Sequence, residues 1–174
     1  WIDDFTPGST LWDVGANVGI YSIYAALLGA RVLAFEPHFA NYFQLCANIL
    51  LNGLGDRVTP YCLAVADAAK ISTMNLAQLE FGSSLSTFGS DLDFRGNRYE
   101  VAFRQGMVGL SLDDLAFSYH LPPPRYINVD VDGIELEIVK GAHRLLASPQ
   151  VRSVSIELVE TDFEQVDGVT RRME

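Results

Sequence analysis

Residues 13–19 read Asp-Val-Gly-Ala-Asn-Val-Gly, and they stand between a short apolar run and a segment with apolar residues at helical spacing. This pattern predicts a β-strand that is followed, through a glycine-rich turn, by an α-helix. Gly15 and Gly19 allow a tight turn and a close approach of the backbone to a ligand, and free N–H groups at the helix start favour a carboxylate or phosphate. The spacing differs from the Gly-x-Gly-x-x-Gly of dinucleotide-binding proteins, and Asp13 indicates a ligand with a positive charge. A turn that binds no ligand is the alternative.

Outward from this turn, apolar runs alternate with helical periods, which is typical of βαβ units. The predicted fold class is therefore α/β, with a doubly wound, mostly parallel sheet and helices on both faces. Strands are predicted over residues 10–14, 31–36, 58–65, 126–131 and 151–159, with further extended pieces at about 70–75 and 98–108. Helices are predicted over residues 18–28 and 39–51, from 111 over a short stretch, and after residue 132, while residues 82–96 are expected to form a mobile loop.

Composition and charge exclude several classes of protein. The chain has 174 residues, with 12 Lys and Arg against 22 Asp and Glu, which gives a formal net charge of −10. Such a surface disfavours a nucleic-acid partner, because phosphate contacts need Lys or Arg. No apolar run reaches the roughly 18 residues of a membrane span, and we expect a cytoplasmic protein. The length is that of one domain.

The two ends of the sequence lead to a further expectation. The first residue is Trp1 rather than Met, and the last residues form a polar run. We therefore expect residues 1–174 to be one domain from a longer chain, with the last strands of the sheet missing. The oligomeric state stays open.

A second acid stands at the end of the second predicted strand, where Glu36 follows Asp13 by 23 residues. In nucleoside-binding sheets a carboxylate at this place accepts both hydroxyls of a ribose. A solvated acid at a strand end is the alternative. The glycine turn and the acid together indicate a nucleoside-binding site much more specifically than either feature alone.

These motifs give the chain a resemblance to the FkbM family of class I S-adenosylmethionine-dependent methyltransferases. The matching segments lie in the family's order at residues 12–26, 33–52, 58–67, 82–85, 111–115 and 127–146. The segment at 127–146, INVDVDGIELEIVKGAHRLL, is similar to the family's Ile-Asp-Val-Glu-Gly-x-Glu signature. Asn128 departs from the family, in which a Lys is frequent at that position.

The resemblance implies S-adenosylmethionine as the cofactor and a Rossmann-like site at the carboxyl edge of the sheet. It implies that the glycine turn holds the methionine part of the cofactor and that Glu36 holds the ribose. The implied cofactor-binding residues are Asp13, Gly15, Asn17, Gly19, Glu36, Pro37, His38, Ala66 and Asp67, the last four near the adenine.

Two acids at strand ends are the catalytic candidates. Asp130 ends the fourth main strand, where a methyl acceptor would approach, and a carboxylate there could remove a hydroxyl proton. Glu157 near the end of the last strand invites the same interpretation. No histidine shows the spacing of metal ligands, and we expect no metal, although a Mg²⁺ site made by these two acids stays open.

Three further residues are candidates for substrate binding. Ser83 and Ser84 belong to a Gly/Ser segment that could close over the acceptor, and a plain surface loop is the alternative. Asp132 either meets the substrate or caps the following helix, in a capping box with Glu135.

Tyr21 and Tyr24 are expected in the core.

The sequence therefore predicts a methyltransferase that uses S-adenosylmethionine and acts on a hydroxyl of a small molecule or sugar. One alternative is an NAD-dependent oxidoreductase, which the glycine spacing and the lack of a Tyr/Lys or His/Asp catalytic set disfavour. A non-catalytic scaffold domain that keeps a cofactor fold is the other.

Overall fold

The computed structural model describes residues 1–84, 86–93 and 95–158. The strands are β1 (Thr10–Val14), β2 (Arg31–Phe35), β3 (Val58–Tyr61), β4 (Ala64–Val65), β5 (Lys70–Leu76), β6 (Ser86–Phe88), β7 (Phe103–Leu110), β8 (Tyr126–Val129) and β9 (Ser153–Ile156). The helices are α1 (Ile20–Leu27), α2 (Phe39–Leu51), α3 (Glu135–Lys140) and α4 (His143–Leu146), with a 3₁₀ turn at Ile2–Asp4 and a π-helical segment at Asp114–Ser118. None of the helices in this part of the chain is both long and apolar enough to cross a membrane.

The main sheet has five strands in the order β3-β2-β1-β8-β9, and every neighbouring pair is parallel. All carboxyl ends therefore meet at one edge. The order reverses between β1 and β8, since the chain first adds strands on one side of β1 and later on the other. Ligands of open α/β sheets bind at such a switch point.

The two faces of the sheet bury separate sets of apolar side chains. Leu11 and Val32 pack with Ala25 of α1 and Leu45 of α2 on one face. Their neighbours in the strands, Trp12 among them, point to the other face and pack with α3 and α4. Side chains alternate along a strand, so one short apolar strand supplies both cores. The predicted doubly wound α/β fold is confirmed.

A second sheet, in the order β4-β7-β5-β6, was not predicted. The single strand predicted over 58–65 is wrong, because it divides into β3 in the main sheet and β4 in the second. The expectation that residues 82–96 form only a loop is also wrong, since β6 pairs there with β5. Phe88 of β6 packs where Gly109 of β7 has no side chain, as a Cβ on that glycine would lie 2.3 Å from the ring.

The helix predicted after residue 132 differs from the observed one. It begins at Glu135 without a side-chain cap and divides into α3 and α4. The N-cap residue is Ile134, so the predicted N-cap at Asp132 is wrong. The carboxylate of Glu135 accepts a hydrogen bond from the N–H of Gly133. At the division, Gly141 lies against the chain after β4, where a Cβ would be 2.6 Å from the carbonyl oxygen of Ala66.

Candidate functional site

The carboxyl edge of the main sheet holds a cavity of about 150 Å³, which we call the first cavity. The glycine turn and the end of β2 form one wall, and the residues after β8 form another. The second sheet closes the cavity with Met74, Ser86 and Phe88. Sequence reasoning named none of these three residues as a site residue, although an extended piece was predicted around Met74 and Ser86 belongs to the Gly/Ser segment. The pairing that brings them to the site was not predicted.

Glu36 is the central polar group of the first cavity and is only 5% exposed. Its Oε2 accepts the backbone N–H of Asn17 at 2.8 Å, and its Oε1 accepts that of His38 at 2.8 Å. Burial raises the pKa of this carboxyl to about 7, against the lowering effect of the two N–H bonds. A carboxylate oxygen accepts more than one hydrogen bond, so both oxygens keep acceptor capacity for a ligand.

Asp13, predicted to bind the cofactor, is fully buried and is not part of the cavity wall. Its Oδ2 accepts the hydroxyl of Ser22 in α1 at 2.5 Å, and its Oδ1 accepts the amide of Asn128 in β8 at 3.0 Å. Burial raises its pKa. Asp13 therefore joins β1 to α1 and β8 underneath the site.

The two predicted glycines have packing reasons of their own. A Cβ on Gly15 would lie 1.8 Å from the carbonyl oxygen of Asp130, and one on Gly19 would lie 2.5 Å from Leu45. Both have positive φ, at 81° and 93°. Gly15 lines the first cavity and Gly19 does not. The missing side chain at Gly15 makes room for the chain after β8, and the one at Gly19 makes room for α2. The sequence argument had instead explained both glycines by the close approach of a ligand.

Two polar atoms in the wall of the first cavity are buried and lack a hydrogen-bond partner in the described part of the chain. They are Oδ1 of Asn17, in the glycine turn, and Oγ of Ser86, in β6. Buried polar groups in proteins are nearly always paired. Atoms of this kind in a cavity wall are suited to a ligand that supplies the missing partners, and the cavity therefore fits a polar cofactor.

The predicted Ser83 and Ser84 also line the first cavity. Their loop is fastened to α2, because the amide of Asn41 accepts the N–H of Gly82 at 2.8 Å and donates to the carbonyl of Ser83 at 3.0 Å. His38 accepts the N–H of Ala40 through Nδ1 at 3.1 Å. The buried Asn41 was missed, although its position four residues before Leu45 on the inner face of α2 is a usable signal for a buried polar residue.

The predicted neighbours of the adenine fall into two groups. Pro37 and His38 line the first cavity, whereas Ala66 and Asp67 do not. Ala64 and Val65 of β4 take their place in the wall. Asp67 is exposed and forms an ion pair of 2.9 Å with Lys70, which lowers its pKa.

A second cavity of about 540 Å³ lies between the chain start, α1 and the ends of β8 and β9. Asp130 lines both cavities, while the predicted Asp132 lines only the first and Glu157 only the second. Tyr21 and Tyr24 line the second cavity and are 49% and 44% exposed, so the expectation that they belong to the core is wrong.

Asp130 and Glu157 form the carboxyl pair of the site, because each directly follows its strand at the same edge. Burial raises the pKa of Asp130 to about 7, and the hydrogen bond and the charge of Glu157 contribute in the same direction. Within the described residues, no group of three or more His, Cys, Asp or Glu side chains could hold a metal ion.

Residues 13–173 match the family described as the methyltransferase FkbM domain. The chain is similar to the hexuronic acid methyltransferase AglP of Haloferax volcanii, with 27% identity over 84% of this chain and 55% of that protein. It is also similar to the 31-O-demethyl-FK506 methyltransferase FkbM of Streptomyces tacrolimicus, with 36% identity over 41% of this chain and 27% of that protein. The chain thus spans about half, or less, of the length of these relatives.

Solved structures share the fold at low identity. A methyltransferase FkbM from Methylobacillus flagellatus has a TM-score of 0.57 at 18% identity, over 87% of this chain and 33% of that one. A precorrin-6y C5,15-methyltransferase from Geobacter metallireducens has a TM-score of 0.55 at 14% identity, over 98% and 66% of the two chains.

Proposed function

Because the chain belongs to the FkbM methyltransferase family, we propose that it methylates a hydroxyl of a sugar or small molecule with S-adenosylmethionine as the methyl donor. The observation that supports this most is the position of Asp130. It is the residue common to a cavity suited to a polar cofactor and to a second cavity open to an acceptor. The cytoplasmic location and the single domain stay predictions.

The first cavity offers groups that match the parts of S-adenosylmethionine. The carboxylate of Glu36 has acceptor capacity for the ribose hydroxyls, and the unpaired Oδ1 of Asn17 suits the ammonium group. Pro37, His38 and Val65 would enclose the adenine. When bound, the cofactor supplies a methyl group on a sulfonium sulfur, and its displacement by a hydroxyl oxygen leaves a neutral thioether and one proton.

The carboxyl pair is the group that would accept this proton. A general base is most effective when its pKa lies near the working pH, and the pKa of Asp130 is raised to about 7. In this mechanism Asp130 takes the hydroxyl proton through a carboxylate oxygen. Glu157 is a positioning residue that stabilises the protonated form of Asp130 by a hydrogen bond.

The relatives support an oxygen acceptor. One is named for a hexuronic acid and the other for a 31-O-demethyl compound. Among the two predicted alternatives, an NAD-dependent oxidoreductase has no counterpart in the family match. The other alternative is a scaffold domain that binds no cofactor, and a direct measurement of cofactor binding distinguishes it from an enzyme.

Isothermal titration calorimetry of the purified chain tests the proposal. We expect S-adenosylmethionine to bind and NAD not to bind. Glu36→Gln should weaken the binding of S-adenosylmethionine about tenfold or more, because it removes the charge and one acceptor from the ribose position. Asp67→Asn is the control and should leave the affinity unchanged, since Asp67 lies outside the wall. Binding of NAD alone, or equal losses in both variants, would contradict the proposal.

A further inference from the structure

The lining of the second cavity combines aromatic rings with acids. The rings belong to Trp1, Tyr21 and Tyr24, and the acids are Asp3, Asp130 and Glu157. The first cavity also contains acids, but its rings, Phe35 and Phe88, are buried, whereas the rings of the second cavity are about half exposed. The chemistry of the lining indicates which acceptors fit.

The aromatic side chains offer flat surfaces to a ligand. Tyr21 and Tyr24 are three residues apart and therefore lie on one side of α1, and both are about half exposed. The indole of Trp1 donates a hydrogen bond to Ser153 at 2.9 Å and meets the ring of Phe5 edge-on. Exposed rings of this kind pack on the apolar face of a sugar ring and attract a cation.

The charged side chains of the lining are all acids. No Lys, Arg or His side chain lines this cavity in the described part of the chain. The hydroxyl of Tyr24 donates to Asp3 at 2.5 Å and thereby fixes that carboxylate at the rim. An anionic acceptor would lose hydration and stand among like charges, whereas a cation is attracted to the same groups.

We propose that the second cavity binds an acceptor with a hydroxylated ring that bears an ammonium group, as in an amino sugar, and that it disfavours uronic acids. This inference rests on the proposed function, because it takes the second cavity as the acceptor site. The acceptor of this chain would therefore differ in charge from that of the relative named for a hexuronic acid.

Three matched sugars test the charge preference without any turnover. Glucosamine, glucose and glucuronic acid share a ring and differ in charge, and their binding is measured by ligand-observed NMR on the purified chain. We expect glucosamine to bind about fivefold more tightly than glucose, and glucuronic acid to bind most weakly. The preference for glucosamine over glucose should shrink as the salt concentration rises, because ions screen charges at a partly open site.

Variants assign the preference to this cavity. Glu157→Gln removes one charge from the lining and should reduce the ratio of glucosamine to glucose affinity about threefold. Asp56→Asn is the control, since this exposed acid precedes β3 at the opposite edge of the sheet, and it should leave the ratio unchanged. Tyr21→Leu should weaken all three sugars together through the loss of stacking.

Several outcomes would overturn the inference. These are glucuronic acid binding as tightly as glucosamine, equal binding of all three sugars, or no binding of glucosamine at about 10 mM. Titration of S-adenosylmethionine on the same sample keeps the two proposals apart. If that cofactor binds and the order of the sugars is reversed, the acceptor class is wrong and the methyltransferase proposal stands. If the cofactor does not bind, the proposed function itself fails.

Discussion

The two cavities on either side of Asp130 are built in different ways. In the first cavity Glu36, His38 and Asn41 are buried and are already bonded to backbone groups. In the second, half-exposed tyrosines and acids stand at the surface. Buried groups that are bonded to the backbone hold one geometry, which suits a constant cofactor. An exposed lining tolerates substitution, and this is where acceptor specificity can vary between relatives.

The substitution Asp130→Asn should produce the largest effect and shows whether the two cavities act through one residue. Loss of a general base lowers turnover by about 10²–10⁴-fold, so we expect kcat to fall by about 10³-fold. The Kd of S-adenosylmethionine should change less than about twofold, because Glu36 and Asn17 remain in place. Equal losses of turnover and of cofactor affinity would make Asp130 a cofactor-binding or structural residue.

The substitution Gly15→Ala tests the contact between the glycine turn and the end of β8. The new Cβ would meet the carbonyl of Asp130 at 1.8 Å, and we expect the free energy of unfolding to fall by about 3 kcal/mol or more. Gly8→Ala is a matched control, because Gly8 has the same φ of 81° with nothing within 4 Å of the added Cβ. It should cost about 1–2 kcal/mol, the strain of a left-handed residue alone. Urea denaturation measures both, and equal costs would refute the clash.

The first cavity shows how far the sequence could predict the site. The sequence placed the glycine turn after β1 and Glu36 after β2, as the structure has them, because strand ends, turns and helix starts leave local signals. The lining from Met74, Ser86 and Phe88 could not be predicted. Those residues reach the site through antiparallel pairing in the second sheet, which follows from tertiary contacts that no local pattern encodes.

Asp13 and Gly15 show a subtler limit of the sequence argument. Both belong to the motif that identified the fold, and the motif itself is confirmed by the family match. The physical reasons for the two residues differ from the expected ones, since Asp13 bonds Ser22 and Asn128, and Gly15 makes room for a carbonyl. A motif can thus be recognised from sequence while its contacts remain to be seen in three dimensions.

The smallest of the predicted effects is the pH dependence that Glu36 gives to the free energy of unfolding. The burial of this carboxyl in the first cavity lowers the stability of the folded chain when the carboxyl is ionised. Folding raises the pKa of this carboxyl from its usual 4.5 to about 7, so between these pH values the folded chain holds the proton more tightly than the unfolded chain. The contribution of Glu36 to the free energy of unfolding is therefore largest below pH 4.5. It falls by about 3 kcal/mol as the pH rises through the folded pKa, and it is nearly constant above about pH 8.

Glu36→Gln should remove this decrease, and the difference between variant and parent is measured by urea denaturation from pH 5 to pH 8. Glu100→Gln, at an exposed position, should keep the slope of the parent protein. An unchanged slope in Glu36→Gln would mean that the carboxylate is not destabilised by burial, and the contrast between the two cavities would then rest on hydrogen bonding alone. If the expected slope is found, the ionised form of Glu36 destabilises the folded chain because its charge is buried. A cationic cofactor would compensate this charge, so S-adenosylmethionine should stabilise the chain more at pH 8 than at pH 5.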